Sequence, residues 1–132
     1  MKVPLLYTIR QAIQTLFDVE GLMSKSVILY MSSWCYQSRD LQRALGEWGV
    51  PYRSVNIKED RRAAARLREW VGFESTPTVV IAEGSESWEP YEAPMPLPAG
   101  SSPRGVDRGS MLTEASREQL REWLVKHGLL EK

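Results

Sequence analysis

The chain has 132 residues, 17 Lys and Arg against 17 Asp and Glu, and a single cysteine. One domain accommodates that length, and a chain of this size buries about two-thirds of its unfolded surface without needing a disulfide or metal staple. Balanced charge excludes a general attraction to nucleic acid or to an anionic membrane, so any partner is recognised by local features.

In chain order, Thr8 and Gln11 make a capping-box pattern, and Ile9, Ala12, Ile13, Leu16 and Phe17 recur at helical spacing. This predicts an extra N-terminal helix over 8–21, ended by Gly21. Val27 to Met31 is continuously apolar, as expected of a strand covered on both faces. It is far short of the ~20 residues that span a bilayer. The N-terminus lacks the basic start and long apolar run of a secretory signal, and one unpaired thiol suits a reducing compartment, so the expected location is the cytoplasm.

Leu41, Ala44, Leu45 and Trp48 then share a helical face that ends at Gly49. Pro51 forces extended backbone into a strand at Tyr52 to Ile57. A second helix follows over Asp60 to Val71, with Ala63, Leu67, Trp70 and Val71 inward and Gly72 as its stop. Arg61, Arg62, Arg66 and Arg68 fall on its solvated face. Thr78 to Ala82 is rich in β-branched residues and reads as a strand, and Glu86 to Tyr91 is a weaker strand pattern after a turn at Glu83-Gly84-Ser85. Residues 92–110 carry four prolines and three glycines with no apolar period, which predicts a long loop. The final helix starts at Ser116, which with Gln119 makes another capping-box pattern, and faces Leu120, Trp123 and Leu124 inward. His127, in its last turn, suits the helix dipole as a cation and needs no catalytic role. Strands joined through helices imply parallel pairing, and the late hairpin adds an antiparallel strand. The expectation is a single α/β domain with a mixed four-stranded sheet flanked by helices.

Cys35 lies in Trp34-Cys35-Tyr36-Gln37-Ser38, where strand character gives way to helical spacing. A side chain there sits beside the unpaired N–H groups and positive end of a helix, which favours thiolate over thiol. Lowering the pKa from about 8.5 to about 6.5 raises the ionised fraction at pH 7 about 25-fold. Lower basicity gives back about tenfold in attacking rate, so positioning of the disulfide and the quality of Cys35 as a leaving group must supply most of the advantage. Ser38 is one turn on, placed to donate a hydrogen bond to the sulfur, and it cannot resolve a mixed disulfide. Arg39 either holds a thiolate or anionic ligand or is a solvated helix residue. Trp34 and Tyr36 are either core residues or walls beside the thiol, and the thiol itself is either reactive or a small buried hydrophobe.

Val27 to Ser38, Val-Ile-Leu-Tyr-Met-Ser-Ser-Trp-Cys-Tyr-Gln-Ser, resembles the first core strand and C-x-x-C or C-x-x-S site of the glutaredoxin branch of the thioredoxin superfamily. Ser75-Thr76-Pro77-Thr78-Val79-Val80 resembles its cis-proline loop and following strand, and Gly49-Val50-Pro51-Tyr52 is similar to the approach to its second core strand. The resemblance covers about Lys25 to Ala82. It implies a thioredoxin-like fold with a cis Thr76-Pro77 bond facing Cys35, where Thr76 pairs with the extended backbone of a disulfide substrate. On the residues alone, Pro77 also suits an ordinary trans proline at a strand's first residue.

The chain departs from the family pattern in several places. Ser38 replaces the second cysteine, leaving only a monothiol route, and Ser32 stands where a lysine is frequent. The Gly-Gly-x-Asp expected after the late hairpin is not recognisable in Gly84-Ser85-Glu86-Ser87, and Tyr36-Gln37 is not the C-G-F-S pattern associated with iron–sulfur clusters, so no metal is expected. The loop 92–110 stands where the family has a short connection on the cis-proline side, as a lid or as an inert insertion.

The expected activity is thiol–disulfide exchange at Cys35, assisted by Ser38, with Trp34, Tyr36, Arg39, Thr76 and Pro77 binding substrate. No cofactor is bound; glutathione or a similar low molecular-weight thiol is the co-substrate. Partners are glutathionylated or otherwise thiol-modified proteins, without nucleic acid or membrane, and the protein is expected to be a monomer. The alternatives are a redox-inactive binding module of the same fold, or an arsenate-reductase-like enzyme drawing on Cys35-x-x-Ser38-Arg39.

Overall fold

The computed structural model describes residues 24–132; the helix expected over 8–21 lies outside them. Four strands, β1 (Lys25–Met31), β2 (Tyr52–Asn56), β3 (Thr78–Glu83) and β4 (Met111–Thr113), form one sheet in the order β2-β1-β3-β4. β1 pairs parallel with β2, from Val27 opposite Tyr52 to Met31 opposite Asn56. It pairs antiparallel with β3, and β3 pairs antiparallel with β4. Among the described residues three helices accompany it, α1 (Tyr36–Glu47), α2 (Arg61–Val71) and α3 (Arg117–Lys126). This is the mixed four-stranded sheet flanked by helices that the sequence leads one to expect.

Alternation along β1 divides the core in two. Val27, Leu29 and Met31 join Val79, Ile81 and Leu112 against α1 and α3, through Leu41, Leu45, Leu120, Trp123 and Leu124. Ile28 and Tyr30 join Val80, Ala82 and Met111 against Ala63, Ala64, Leu67 and Val71 of α2. β1 therefore has both faces covered, which is why it reads as an unbroken apolar run.

Side chains cap the starts of α2 and α3, the second as its capping-box pattern predicts. Asp60 accepts a hydrogen bond from the Ala63 N–H, and Ser116 and Gln119 form the full capping box. α2 stops at Gly72, whose left-handed φ of 98° suits glycine.

One expected strand is not a strand. Residues 86–91 contribute a single ladder bond, from the Tyr91 N–H to the Ile81 carbonyl. The segment before it crosses the sheet face instead of following the edge. The Tyr30 hydroxyl donates to the Trp88 carbonyl at 2.6 Å, Arg53 donates to the Ser87 carbonyl, and the Arg53 guanidinium stacks on the Trp88 ring at 4.6 Å. Held by side chains of the sheet, the Ser87 and Trp88 carbonyls are not offered to a strand partner. The fourth strand comes only at Met111–Thr113, after a connection of residues 84–110. That connection folds back along the β4 edge, with isolated bridges from Arg104 to Thr113 and from Asp107 to Leu112. Buried Arg108 ties it down, donating to the Met95 carbonyl at 2.7 Å and to the Trp70 carbonyl of α2 at 2.9 Å.

Candidate active site

Cys35 is the N-cap of α1, with extended backbone at φ −91°, ψ 116°. β1 ends at Met31, and the turn of residues 32–35 is closed by the Cys35 N–H donating to the Ser32 carbonyl at 3.0 Å. That turn aims the side chain back over the first helical turn, where Sγ accepts from the Ser38 N–H at 3.4 Å. Cys35 occupies the place of an N-cap Ser or Asp oxygen, so the helix end that such residues satisfy is here satisfied by sulfur.

Ser38 is fully buried beneath it. Its Oγ accepts from the Ser32 N–H at 3.3 Å, which leaves the hydroxyl proton free to point at sulfur. Partial burial pushes the thiol pKa up, but hydrogen bonds from the Ser38 hydroxyl, the Ser38 N–H, the Thr76 side chain and the Gln37 N–H together bring it below the ordinary thiol range. Thr76 acts in both directions. Its carbonyl oxygen lies 3.7 Å from Sγ and accepts only from the neutral thiol. The N–H and hydroxyl donors outnumber this one long contact, so the balance lies with the thiolate. α1 has no acid in its first turn, and Asp40, the first acid along it, is bonded to Arg117 at 3.0 Å. No neighbouring carboxylate on the helix is left to oppose a negative sulfur.

Thr76 reaches Sγ from the loop ahead of β3, and the Thr76–Pro77 peptide is cis. Trp34 and Tyr36 are 87% and 68% exposed, so they flank the thiol from the solvent side and are not core. Arg39 is exposed, one turn along α1 from Cys35. The buried-cysteine alternative does not hold: Cys35 is half-buried, with bulk solvent on one side.

A third wall was not visible in the sequence. The segment directly after β4 borders the site on both sides: the Gln37 side chain donates to the Ala115 carbonyl at 3.3 Å, and the Glu114 N–H donates to the Pro77 carbonyl at 2.7 Å. Glu114 has a left-handed φ of 48°, uncommon for a residue with a Cβ. Its carboxylate accepts from the Ser75 hydroxyl at 2.6 Å and from Arg104 of the long connection at 3.0 Å. The residues to compare with Gly-Gly-x-Asp are thus those following Thr113, not Gly84 to Ser87, because the long connection displaces β4 along the sequence. The one available signal was the Ser116 capping box, which fixes where α3 starts and therefore where the preceding strand must end.

Residues 27–85 match the glutaredoxin family model. Over that segment, under half of its length, the chain is similar to the glutaredoxins. The matched glutaredoxin segment runs from β1 through β3 and stops where the long connection begins, so Glu114 and Arg104 lie beyond it. Among solved structures, a buckwheat glutaredoxin–glutathione complex is similar at 16% identity, covering 60% of this chain and 69% of that one with a TM-score of 0.38. No curated protein matches the chain. No helix among the described residues is long and apolar enough to cross a membrane.

Proposed function

We propose that this protein is a monothiol thiol–disulfide oxidoreductase that reduces mixed disulfides between proteins and glutathione or another low molecular-weight thiol. The Cys35 thiolate attacks the small-thiol sulfur of the mixed disulfide. A Cys35–small-thiol disulfide forms as the bond between that sulfur and the client protein's sulfur breaks, and the departing protein thiolate takes a proton from solvent. A second small-thiol molecule, as thiolate, then attacks the same small-thiol sulfur, releasing Cys35 thiolate and a symmetric disulfide. Net, one small thiol is consumed, one protein thiol is restored, and the disulfide passes from the protein to the symmetric small-thiol pair. Ser38 and the α1 N–H groups stabilise Cys35 both as nucleophile and as leaving group. Thr76 aligns the substrate backbone, with Pro77 completing its loop, while Trp34, Tyr36 and Arg39 border the approach. The protein acts as a cytoplasmic monomer.

The observation that carries this reading is a half-buried Sγ at a helix N-cap, 3.4 Å from the Ser38 N–H, in a chain with no second cysteine. The test gives wild type and Cys35→Ser a glutathionylated peptide with excess glutathione. Turnover by wild type alone is expected; equal rates from the two proteins would refute it. A second reading, a binding module without turnover, is favoured by the Thr76 carbonyl 3.7 Å from sulfur, an acceptor suited to a protonated thiol. A Cys35 titrating at the free-cysteine value, about 8.5, would support that alternative.

A further inference from the structure

The 84–110 connection brings a cation to the rim of the thiol site. Arg104 bonds Glu114 at 3.0 Å, Glu114 bonds Ser75 at 2.6 Å, and Ser75 precedes Thr76, whose carbonyl lies 3.7 Å from Cys35 Sγ. The two charges are not equivalent. The Glu114 side chain is 19% exposed and each of its oxygens already has a donor, whereas the Arg104 side chain is 70% exposed and commits one nitrogen to Glu114. The remaining guanidinium N–H groups face water in a planar fork matched to a carboxylate.

The Arg104 backbone is fixed as well. Arg104 bridges to Thr113 of β4, and the Gly105 N–H donates to the Thr113 carbonyl at 2.7 Å. Gly105 has φ +70°, and a Cβ there would meet the Gln119 side chain at 2.7 Å, so the turn after Arg104 is closely fitted to the start of α3. An arginine anchored by its own backbone and by a partly buried carboxylate loses little freedom on binding.

We infer that Arg104 is a specificity-determining residue that binds a carboxylate carried by the disulfide substrate as the substrate lies along Thr76. The inference rests on the activity proposed above and adds its substrate class: disulfides with a carboxylate within a few bonds of the sulfur, supplied either by the small thiol or by an acidic residue beside the client cysteine.

Two pairs of probes test it. The first pair is the mixed disulfide of glutathione with 2-mercaptoethanol and its counterpart with the carboxylates converted to amides. The second is a cysteine peptide with Asp or Asn beside the cysteine, disulfide-linked to 2-mercaptoethanol. Each is offered to wild type, Arg104→Ala and Arg104→Lys. For the carboxylate form of at least one pair, Arg104→Ala should raise KM about tenfold with kcat unchanged, with Arg104→Lys in between. The neutral form should be unaffected. An effect in the first pair identifies the small thiol as the carboxylate source, and an effect in the second identifies the client. Equal changes for charged and neutral forms, or no change in either pair, would overturn the inference. Binding of the S-methyl thioethers of the same probes to Cys35→Ser, with and without Arg104→Ala, reads the same preference without chemistry. Absence of turnover would then defeat the proposed activity, while the affinity ratio decides on Arg104 separately.

Discussion

Ser38→Ala isolates the contribution of the buried hydroxyl to the thiol. Ser38 Oγ has no solvent access, accepts from the Ser32 N–H at 3.3 Å and donates to sulfur. A hydrogen bond to a charged group contributes about 1.5–3 kcal/mol, and one pKa unit corresponds to about 1.4 kcal/mol, so the Cys35 pKa should rise by about one unit or somewhat more. At a pH below both values a one-unit rise lowers the thiolate fraction about tenfold, while the more basic sulfur attacks about threefold faster. The variant should therefore be about threefold slower than wild type at low pH and about threefold faster once both thiols are ionised. The assay is second-order alkylation by iodoacetamide across the pH range, and the two profiles should cross. The Ser32 N–H, buried beside the lost acceptor, should also lower the denaturation free energy by about 1–3 kcal/mol. Parallel profiles with the same midpoint would refute the assignment of Ser38 as a thiolate donor.

Two other substitutions probe the frame. Arg108→Ala leaves the Met95 and Trp70 carbonyls without their donor and should cost about 3 kcal/mol in denaturant titration, with faster proteolytic cleavage within 84–110; an unchanged cleavage rate would contradict its anchoring role. His127, the chain's only histidine, packs edge-on against Trp123, and burial outweighs the nearby Gly109 backbone to push its pKa below the usual imidazole value. Folding then favours the neutral ring, so its stabilisation is complete above about pH 6.5 and is lost as pH falls through the depressed folded value. An NMR titration of the single imidazole should give a midpoint below about 6.5, and in His127→Gln this acid-side loss of stability should be smaller. A midpoint at or above that value would restore the cationic, dipole-stabilising role that helix position alone suggests.

The parts of this protein that the sequence revealed are those governed by local rules. β1 was legible because both its faces are covered, α1 and α2 because their apolar spacing is regular, and α3 because Ser116 and Gln119 cap it as their spacing predicts. The strand-to-helix junction placed Cys35 and Ser38 together for the same reason. β4 was not legible: three residues after a proline- and glycine-rich run are too few to show a period. Trp88 and Tyr91 gave residues 86–91 the look of a strand, but their backbone is held by Tyr30, Arg53 and Ile81 from distant positions. Glu114 and Arg104 were missed because their pairing depends on the path of the long connection and on a left-handed backbone at Glu114, neither of which leaves a spacing signature.

The central claim is that the Cys35 sulfur takes the small thiol from a mixed disulfide. A single-turnover reaction of the protein with excess glutathionylated peptide, without added thiol, tests it directly. The prediction is one equivalent of free peptide thiol per protein and a glutathione-sized mass increase confined to Cys35. Release of no peptide thiol, or an adduct of the peptide in place of glutathione, would contradict it.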